Sequence, residues 1–229
     1  KSTVREIART HGLRATFMPL PFAGQSGNGM HVHTSLNQDG VNVFDSGDDH
    51  LLNDVFRHWV GGLVHHARAI SLLGSLFGNG YKRVRPYSFC PTHVHWGGDN
   101  RSVLCRCTVG QGQANRVEYR GGGADANPYL ILAGILAAGA DGLERQLDPG
   151  PPATGDLYED PGDHEALPAT FADGIAAFRD SELAGSLGAD FSTNLLALVS
   201  NELTLYEANA SDGDDSVSAW EFDRYVEFT

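Results

Sequence analysis

Lysine is nearly missing from this chain: only Lys1 and Lys82 carry an ammonium side chain, against 29 Asp and Glu residues. At a formal net charge of −13 there are few free cations to displace counterions from a phosphate backbone, which argues against non-specific nucleic-acid binding. An anionic lipid surface would repel the chain for the same reason. Cysteine is scarce too. Cys90, Cys105 and Cys107 match neither a zinc-ribbon spacing nor a disulfide framework, and the last two lie in an alternating segment where they read as small apolar packing residues. No apolar run approaches the ~20 residues of a bilayer span, and no signal peptide opens the chain. The expectation is a protein of the reducing cytoplasm, with no membrane and no nucleic-acid partner. An acidic, lysine-poor coat of this kind holds water well enough to keep a protein soluble at high salt.

What is present suffices for one substantial core: 229 residues, of which 41% are hydrophobic, exclude wholesale disorder. Residues 2–11 read as a short helix stopped by Gly12, so the chain opens inside a helix, as a piece of a longer protein would. Residues 14–18 and 30–36 read as strands, the second turning through Asn37-Gln38-Asp39-Gly40 into 41–44 as a hairpin. Helical spacing of apolar residues runs from Asp49 to about Leu76, as one helix or two. A Gly-, Pro- and Arg-rich stretch over 78–90 leads to strand-like segments at 92–96, 102–108 and 115–120. Asn127-Pro128, a cap followed by proline at the first helical position, opens the strongest helix, which continues to about Leu147. After a Pro/Gly/Asp-rich excursion over 148–167, helices are expected at about 168–180, 192–209 and 216–226, with the acidic run Asp212 to Asp215 between the last two. Strands first and helices later predict an α+β fold, with an antiparallel sheet and helices packed on one side.

Two stretches concentrate the chemistry. Gly27-Asn28-Gly29-Met30-His31-Val32-His33 sets two imidazoles on one side of a strand behind a glycine bend, because strand side chains alternate with period two. Asn115-Arg116-Val117-Glu118-Tyr119-Arg120 sets a carboxylate between two guanidiniums on one strand face. Adjacent cations keep such a carboxylate ionised, and an ionised oxygen suits Mg²⁺ or Mn²⁺. Each stretch alone also reads blandly, as hydrogen-bonded histidines of a half-buried sheet and as an exposed ladder of charges. The arginines tip the balance: Arg83, Arg85, Arg101, Arg106, Arg116 and Arg120 fall within 38 residues of a lysine-poor chain. Planar guanidiniums grip carboxylate or phosphoryl oxygens in pairs, which lysine does poorly. His93-x-His95 repeats the histidine spacing, and a zinc centre built on both pairs would require them to meet.

Taken together, Gly27 to Leu36, Tyr81-Lys82-Arg83, Asn100-Arg101-Ser102 with Arg106, and Arg116 to Arg120 followed by Asp125-Ala126-Asn127-Pro128-Tyr129-Leu130 resemble the glutamine synthetases in order and spacing. The likeness runs from about Arg5 to Thr229, with Trp220 to Tyr225 similar to that family's C-terminal helix. It implies that residues 1–229 are the C-terminal part of the catalytic domain, without the N-terminal domain and the first catalytic segment, and are inactive or nearly so alone. The implied reaction is ATP-dependent joining of the γ-carboxyl of glutamate to ammonia or a primary amine, through γ-glutamyl phosphate. By resemblance, His31 and Glu118 are metal ligands for Mg²⁺ or Mn²⁺, and His33, Ser35 and Arg116 face ATP. Gly27, Arg83 and Arg120 hold glutamate. Arg101 and Arg106 clamp phosphate, with Arg101 also on the glutamate side and the catalytic group. Homo-oligomeric stacked rings, with sites between subunits, and a place in nitrogen metabolism are implied as well. Arg85 matches no such position.

The departures bear on the acceptor. Where the family commonly reads Pro-Gly-Tyr-Glu-Ala-Pro, this chain has Pro86-Tyr87-Ser88-Phe89-Cys90-Pro91. Phe89 replaces the flap glutamate of the amine pocket and can neither take a proton nor attract ammonium, so an amine with a carbon chain fits at least as well as ammonia. Ser26 and Leu20 replace a common Asn and Lys, and the link from Arg106 to Arg116 lacks the usual lysine. Tyr158 occupies a loop where some relatives carry a nucleotidylated tyrosine; ordinary packing is the simpler reading. Two other function classes compete. A non-catalytic sensor of nucleotide or glutamate could keep the pocket without the phosphoryl clamp. A zinc hydrolase would need His93 and His95 within reach of His31.

Overall fold

Apolar–polar alternation along two neighbouring segments builds the middle of the sheet: Cys105, Cys107, Val117 and Tyr119 are buried, whereas Arg106 and Arg116 point to the other side. The computed structural model describes residues 1–47, 52–110, 112–210 and 216–229. Its strands are β1 Val32–Thr34, β2 Asn37–Gln38, β3 Val41–Asn42, β4 Trp96–Gly97, β5 Cys105–Thr108 and β6 Arg116–Tyr119. The main sheet has the order β1-β6-β5-β4. β1–β6 and β6–β5 pair antiparallel as expected, and β4 adds a parallel pair at the edge, Trp96 opposite Cys105 and Gly97 opposite Arg106. The small β2–β3 hairpin turns at Asp39 and Gly40, whose φ of 52° and 80° give the left-handed pair that a two-residue turn needs. Burial holds the Cys105 and Cys107 thiols far above their ordinary pKa, which fits packing residues rather than reactive ones.

Helices cover the buried face. The 49–76 periodicity resolves into α2 Asp54–His65 and α3 Ala67–Gly74, broken at His66, while α1 is Ser2–Thr10 and α4 Gly78–Tyr81. Residues 48–51 and the acidic run 212–215 lie outside the described residues. α5, Pro128–Arg145, starts as expected, with the Asn127 side chain accepting from the Tyr129 amide. It crosses α2 at backbone contact: a Cβ on Gly62 would stand 2.0 Å from the Ala138 carbonyl oxygen, and one on Gly142 would stand 2.2 Å from that of His58. Glycine is therefore obligatory at the crossing. α6 Phe171–Arg179, α7 Glu182–Ser186, α8 Ala189–Asn209 and α9 Ala219–Tyr225 complete the chain. The core joins Phe56, Trp59, Leu63, Ile70, Ile135 and Phe171 to Val117 and Tyr119 of the sheet. Among the described residues, no helix is long and apolar enough to cross a membrane.

Three expectations need correction. Residues 14–18 form no strand; Met18 is instead buried with Tyr225 and Val226 in a small second cluster. Of 92–96 only the end pairs as β4, with His93 making a lone bridge to Ala166. The short α7, capped by Ser181 on the Ala184 amide, was not expected from periodicity, since five residues are too few to show it.

One buried ion pair ties the C-terminus to the centre. Lys82 Nζ lies 2.9 Å from Glu221 Oε2, with side chains 2% and 0% exposed. Glu221 also accepts from Asn79 and from the Ser218 amide, closing a capping box at α9. Asn79 in turn bonds both backbone groups of Leu20. Replacing Lys82 by Met leaves this carboxylate buried without its cation. We expect urea unfolding to show a loss of about 3–5 kcal/mol, with partial recovery in the Lys82→Met/Glu221→Leu double variant.

Candidate active site

Strand register brings the two marked stretches together. His33 lies directly opposite Glu118 across β1 and β6, and Arg106 of β5 lies opposite Glu118 on its other side. His31, just before β1, reaches the same carboxylate: its Nδ1 is 2.7 Å from Glu118 Oε1. Arg120 Nη1 donates to Oε1 at 2.9 Å and Arg106 Nη1 to Oε2 at 3.2 Å, while His33 Nε2 stands 4.0 Å away. Arg116 Nε donates to His33 Nδ1 at 3.3 Å, and Arg106 also grips Asp99. Glu118 and Arg120 are buried; His31 and His33 open to solvent.

The electrostatics follow from this crowd. Burial alone would raise the Glu118 carboxyl, but Arg120, His31 and the Arg106 hydrogen bond together hold it below the ordinary carboxylate range. Burial, then the Arg120 guanidinium, lowers the His31 imidazole below its usual value against the pull of Glu118. An ionised carboxylate beside a neutral imidazole is the state in which both can hold a divalent cation.

Glycines let the backbone close in beside this cluster. A Cβ on Gly27 would meet the Pro19 carbonyl oxygen at 2.6 Å, and one on Gly29 would stand 2.8 Å from Arg83 Nη2 and 3.6 Å from His31 Nε2. Arg83 is buried against this bend and the Gly121 carbonyl. Gly29 bridges Gly123, after which Asp125 is buried and accepts from the Ser75 hydroxyl at 2.9 Å.

A cavity of about 430 Å³ opens nearby, lined by Tyr87, Phe89, Arg101, Asp156 and Tyr158 among others. Phe89 is 67% exposed. Tyr87 and Phe89 hold φ of 60° and 63°, a strained left-handed backbone for aromatic residues. The Tyr87 and Tyr158 rings lie 5.5 Å apart, and the Tyr158 hydroxyl is buried, in line with loop packing. Arg101 thus shares a wall with Phe89, whereas Arg106 is engaged by Glu118 and Asp99. Ser35 is exposed just past β1, and Arg85 donates to the Gln25 carbonyl. Sequence reasoning did not single out Asp99, Tyr87 or Asp156; nothing in their spacing marks them, since loops alone bring them here.

The second histidine pair serves the sheet edge. His95 Nδ1 accepts from the Leu104 amide, and burial pushes its pKa down to about 4. Among the described residues, His93 and His95 do not converge with His31 and His33 as a metal-holding group.

The model described as glutamine synthetase, catalytic domain, matches residues 1–225. A glutamine synthetase of Thermococcus kodakarensis is 36% identical over 98% of this chain and 53% of its own length. One from Thermus thermophilus is 36% identical over 99% of this chain and 51% of its own. A solved structure described as a GmaS/ADP complex superposes with a TM-score of 0.81 at 35% identity, covering 95% of this chain and 50% of that one. The chain thus spans about half the length of the curated relatives it matches.

Asp125 provides a pH test of the loop behind the cluster. Burial raises its carboxyl from 3.8 to about 6, against the Ser75 hydrogen bond and the Arg83 charge. Both folded and unfolded states are protonated below 3.8, so nothing is lost there. Between pH 3.8 and about 6 the unfolded chain ionises while the folded one stays protonated, so stability falls across that window by roughly 3 kcal/mol and stays lower above it. Urea unfolding of Asp125→Asn and the unsubstituted protein should therefore diverge in favour of the variant between pH 4 and pH 7, by roughly that amount.

Proposed function

The chain belongs to the glutamine synthetase family, and on that premise we propose that it forms the C-terminal part of the catalytic domain of an ATP-dependent carboxylate–amine ligase. The observation that carries this reading is the contact of His31 with Glu118 at 2.7 Å, with Arg106 and Arg120 on the same carboxylate. The GmaS relative solved with ADP supports a nucleotide site in this architecture.

In this reading glutamate is held by Arg83 and Arg120 beside Gly27, with its γ-carboxylate toward Glu118 and the Arg106 guanidinium. Transfer of the γ-phosphoryl of ATP to that carboxylate forms γ-glutamyl phosphate and ADP. The amine nitrogen then attacks the acyl carbon, phosphate leaves, and a proton is lost from nitrogen. His31 and Glu118 would hold Mg²⁺ or Mn²⁺, which when bound would neutralise charge on the transferred phosphoryl group. Arg101 and Arg106 do the same from the protein side, pre-aimed guanidiniums being worth more than covalent assistance in such transfers. His33, Ser35 and Arg116 line the nucleotide side. Phe89, on its strained flap, gives the acceptor pocket an apolar wall, favouring an amine with a carbon chain over ammonia. We expect the full-length protein to act as a cytoplasmic homo-oligomer.

The test uses the full-length protein with ATP, glutamate and a panel of ammonia, short alkylamines and polyamines. Phosphate release should appear only with an amine present. Nucleotide binding without turnover would establish a sensor instead. Arg101→Ala should lower kcat by roughly 10²–10³-fold. Phe89→Glu should shift kcat/KM toward ammonia relative to alkylamines by about tenfold or more. Efficient turnover of ammonia alone by the unsubstituted enzyme would refute the role given to Phe89.

A further inference from the structure

Away from the sheet face, a second set of metal-ligating groups meets where helices converge. His65 ends α2, His66 forms the break before α3, Asp141 lies on α5, and Glu182 begins α7. One ligand atom each from His65, His66 and Glu182 falls within 4.8 Å of the others. His65 Nε2 is 3.5 Å from Glu182 Oε2, and His66 Nε2 is 2.7 Å from Asp141 Oδ2. The two imidazole rings stand perpendicular, 4.7 Å apart. A cation already sits among the oxygens: Arg145 Nη1 is 3.0 Å from Asp141 Oδ2 and 2.6 Å from Glu182 Oε2.

We propose that His65, His66 and Glu182, with Asp141 as fourth donor, form a binding site for a borderline divalent ion such as Zn²⁺, in which Arg145 stands in when the ion is absent. Two imidazole nitrogens and two carboxylate oxygens are a donor set zinc takes readily, whereas Mg²⁺ and Ca²⁺ prefer oxygen alone. The charges close as well. Two carboxylates neutralise one divalent ion, while Arg145 neutralises only one of them. Arg145 sits in the last turn of α5 with 40% of its side chain exposed, so it can swing into water without leaving a buried charge. His66 is nearly fully buried, which fixes one ligand in place; His65 and Glu182 already bring ligand atoms within 4.8 Å of it, and Asp141 reaches His66 by its hydrogen bond. His66 Nε2 gives up its bond to Asp141 on binding, and that oxygen then turns to the ion. Once bound, the ion would pin the α2–α3 break to α5 and α7, so it stabilises the folded state by mass action.

The experiment takes the full-length protein, stripped with chelator and returned to excess Mg²⁺ so that the sheet site is supplied. Zn²⁺ and Co²⁺ are then titrated by calorimetry and followed by thermal unfolding. The unsubstituted protein should bind one more zinc per chain than His65→Ala or Glu182→Gln, and show a rise in Tm that both variants lack. The visible ligand-field bands of four-coordinate cobalt should be present in the first and missing from the variants. Arg145→Gln, which removes the competing cation, should bind zinc more tightly than the unsubstituted protein. His65 and Glu182 are solvent-facing, so the metal-free variants should unfold near the parent temperature, which separates loss of the site from loss of the fold. Equal zinc counts and equal Tm shifts in parent and variants would overturn the proposal, whatever the ligase assay shows.

Discussion

A single buried carboxylate organises this protein. Glu118 lies in the middle of the sheet and is shared by Arg120, Arg106 and His31. Removing such a charge from water is costly unless every lone pair is engaged. Here the partners come from three separate chain segments, so the carboxylate is satisfied only when β1, β5 and β6 are in register. The alternating strands follow the same constraint: Val117 and Tyr119 fill the core while Arg116, Glu118 and Arg120 share the opposite face. A slip of one residue would bury the guanidiniums and expose the apolar side chains.

Close backbone approach is the second constraint, and glycine meets it where side chains cannot. Gly62 and Gly142 let α2 and α5 touch, and Gly27 and Gly29 let Arg83 settle beside His31. Lys82, next to Arg83, is anchored by Glu221 from the far end of the chain. The C-terminal helix therefore bears on the segment that carries Arg83, which packs against the Gly27–Gly29 bend.

The charge distribution also divides by role. The protein is strongly acidic, yet the arginines that matter are gathered against one sheet face and the adjoining loops. Where those loops form a cavity, the wall carries Tyr87, Phe89 and Tyr158 beside Arg101. Guanidinium on one side and aromatic rings on the other give this cavity one wall suited to anions and one suited to apolar groups. The strain at Tyr87 and Phe89 is consistent with a flap held in place by its surroundings.

Much of this was readable along the chain because it rests on local rules. Period-two alternation set Arg116, Glu118 and Arg120 on one face, the Asn127-Pro128 pair marked the start of α5, and Asn37 to Gly40 marked a hairpin, although Asn37 and Gln38 belong to its first strand rather than to its turn. Motif order pointed to the family. What local rules could not reach was anything requiring distant segments to meet. The parallel edge pair β4–β5, the isolated course of residues 14–18, the Asp99 contact on Arg106 and the four-helix meeting of His65, His66, Asp141 and Glu182 all depend on packing. A residue's neighbours in sequence fix the direction of its side chain through backbone geometry; which partner waits there is decided by the burial of apolar area across the whole core, a quantity no short window of sequence contains.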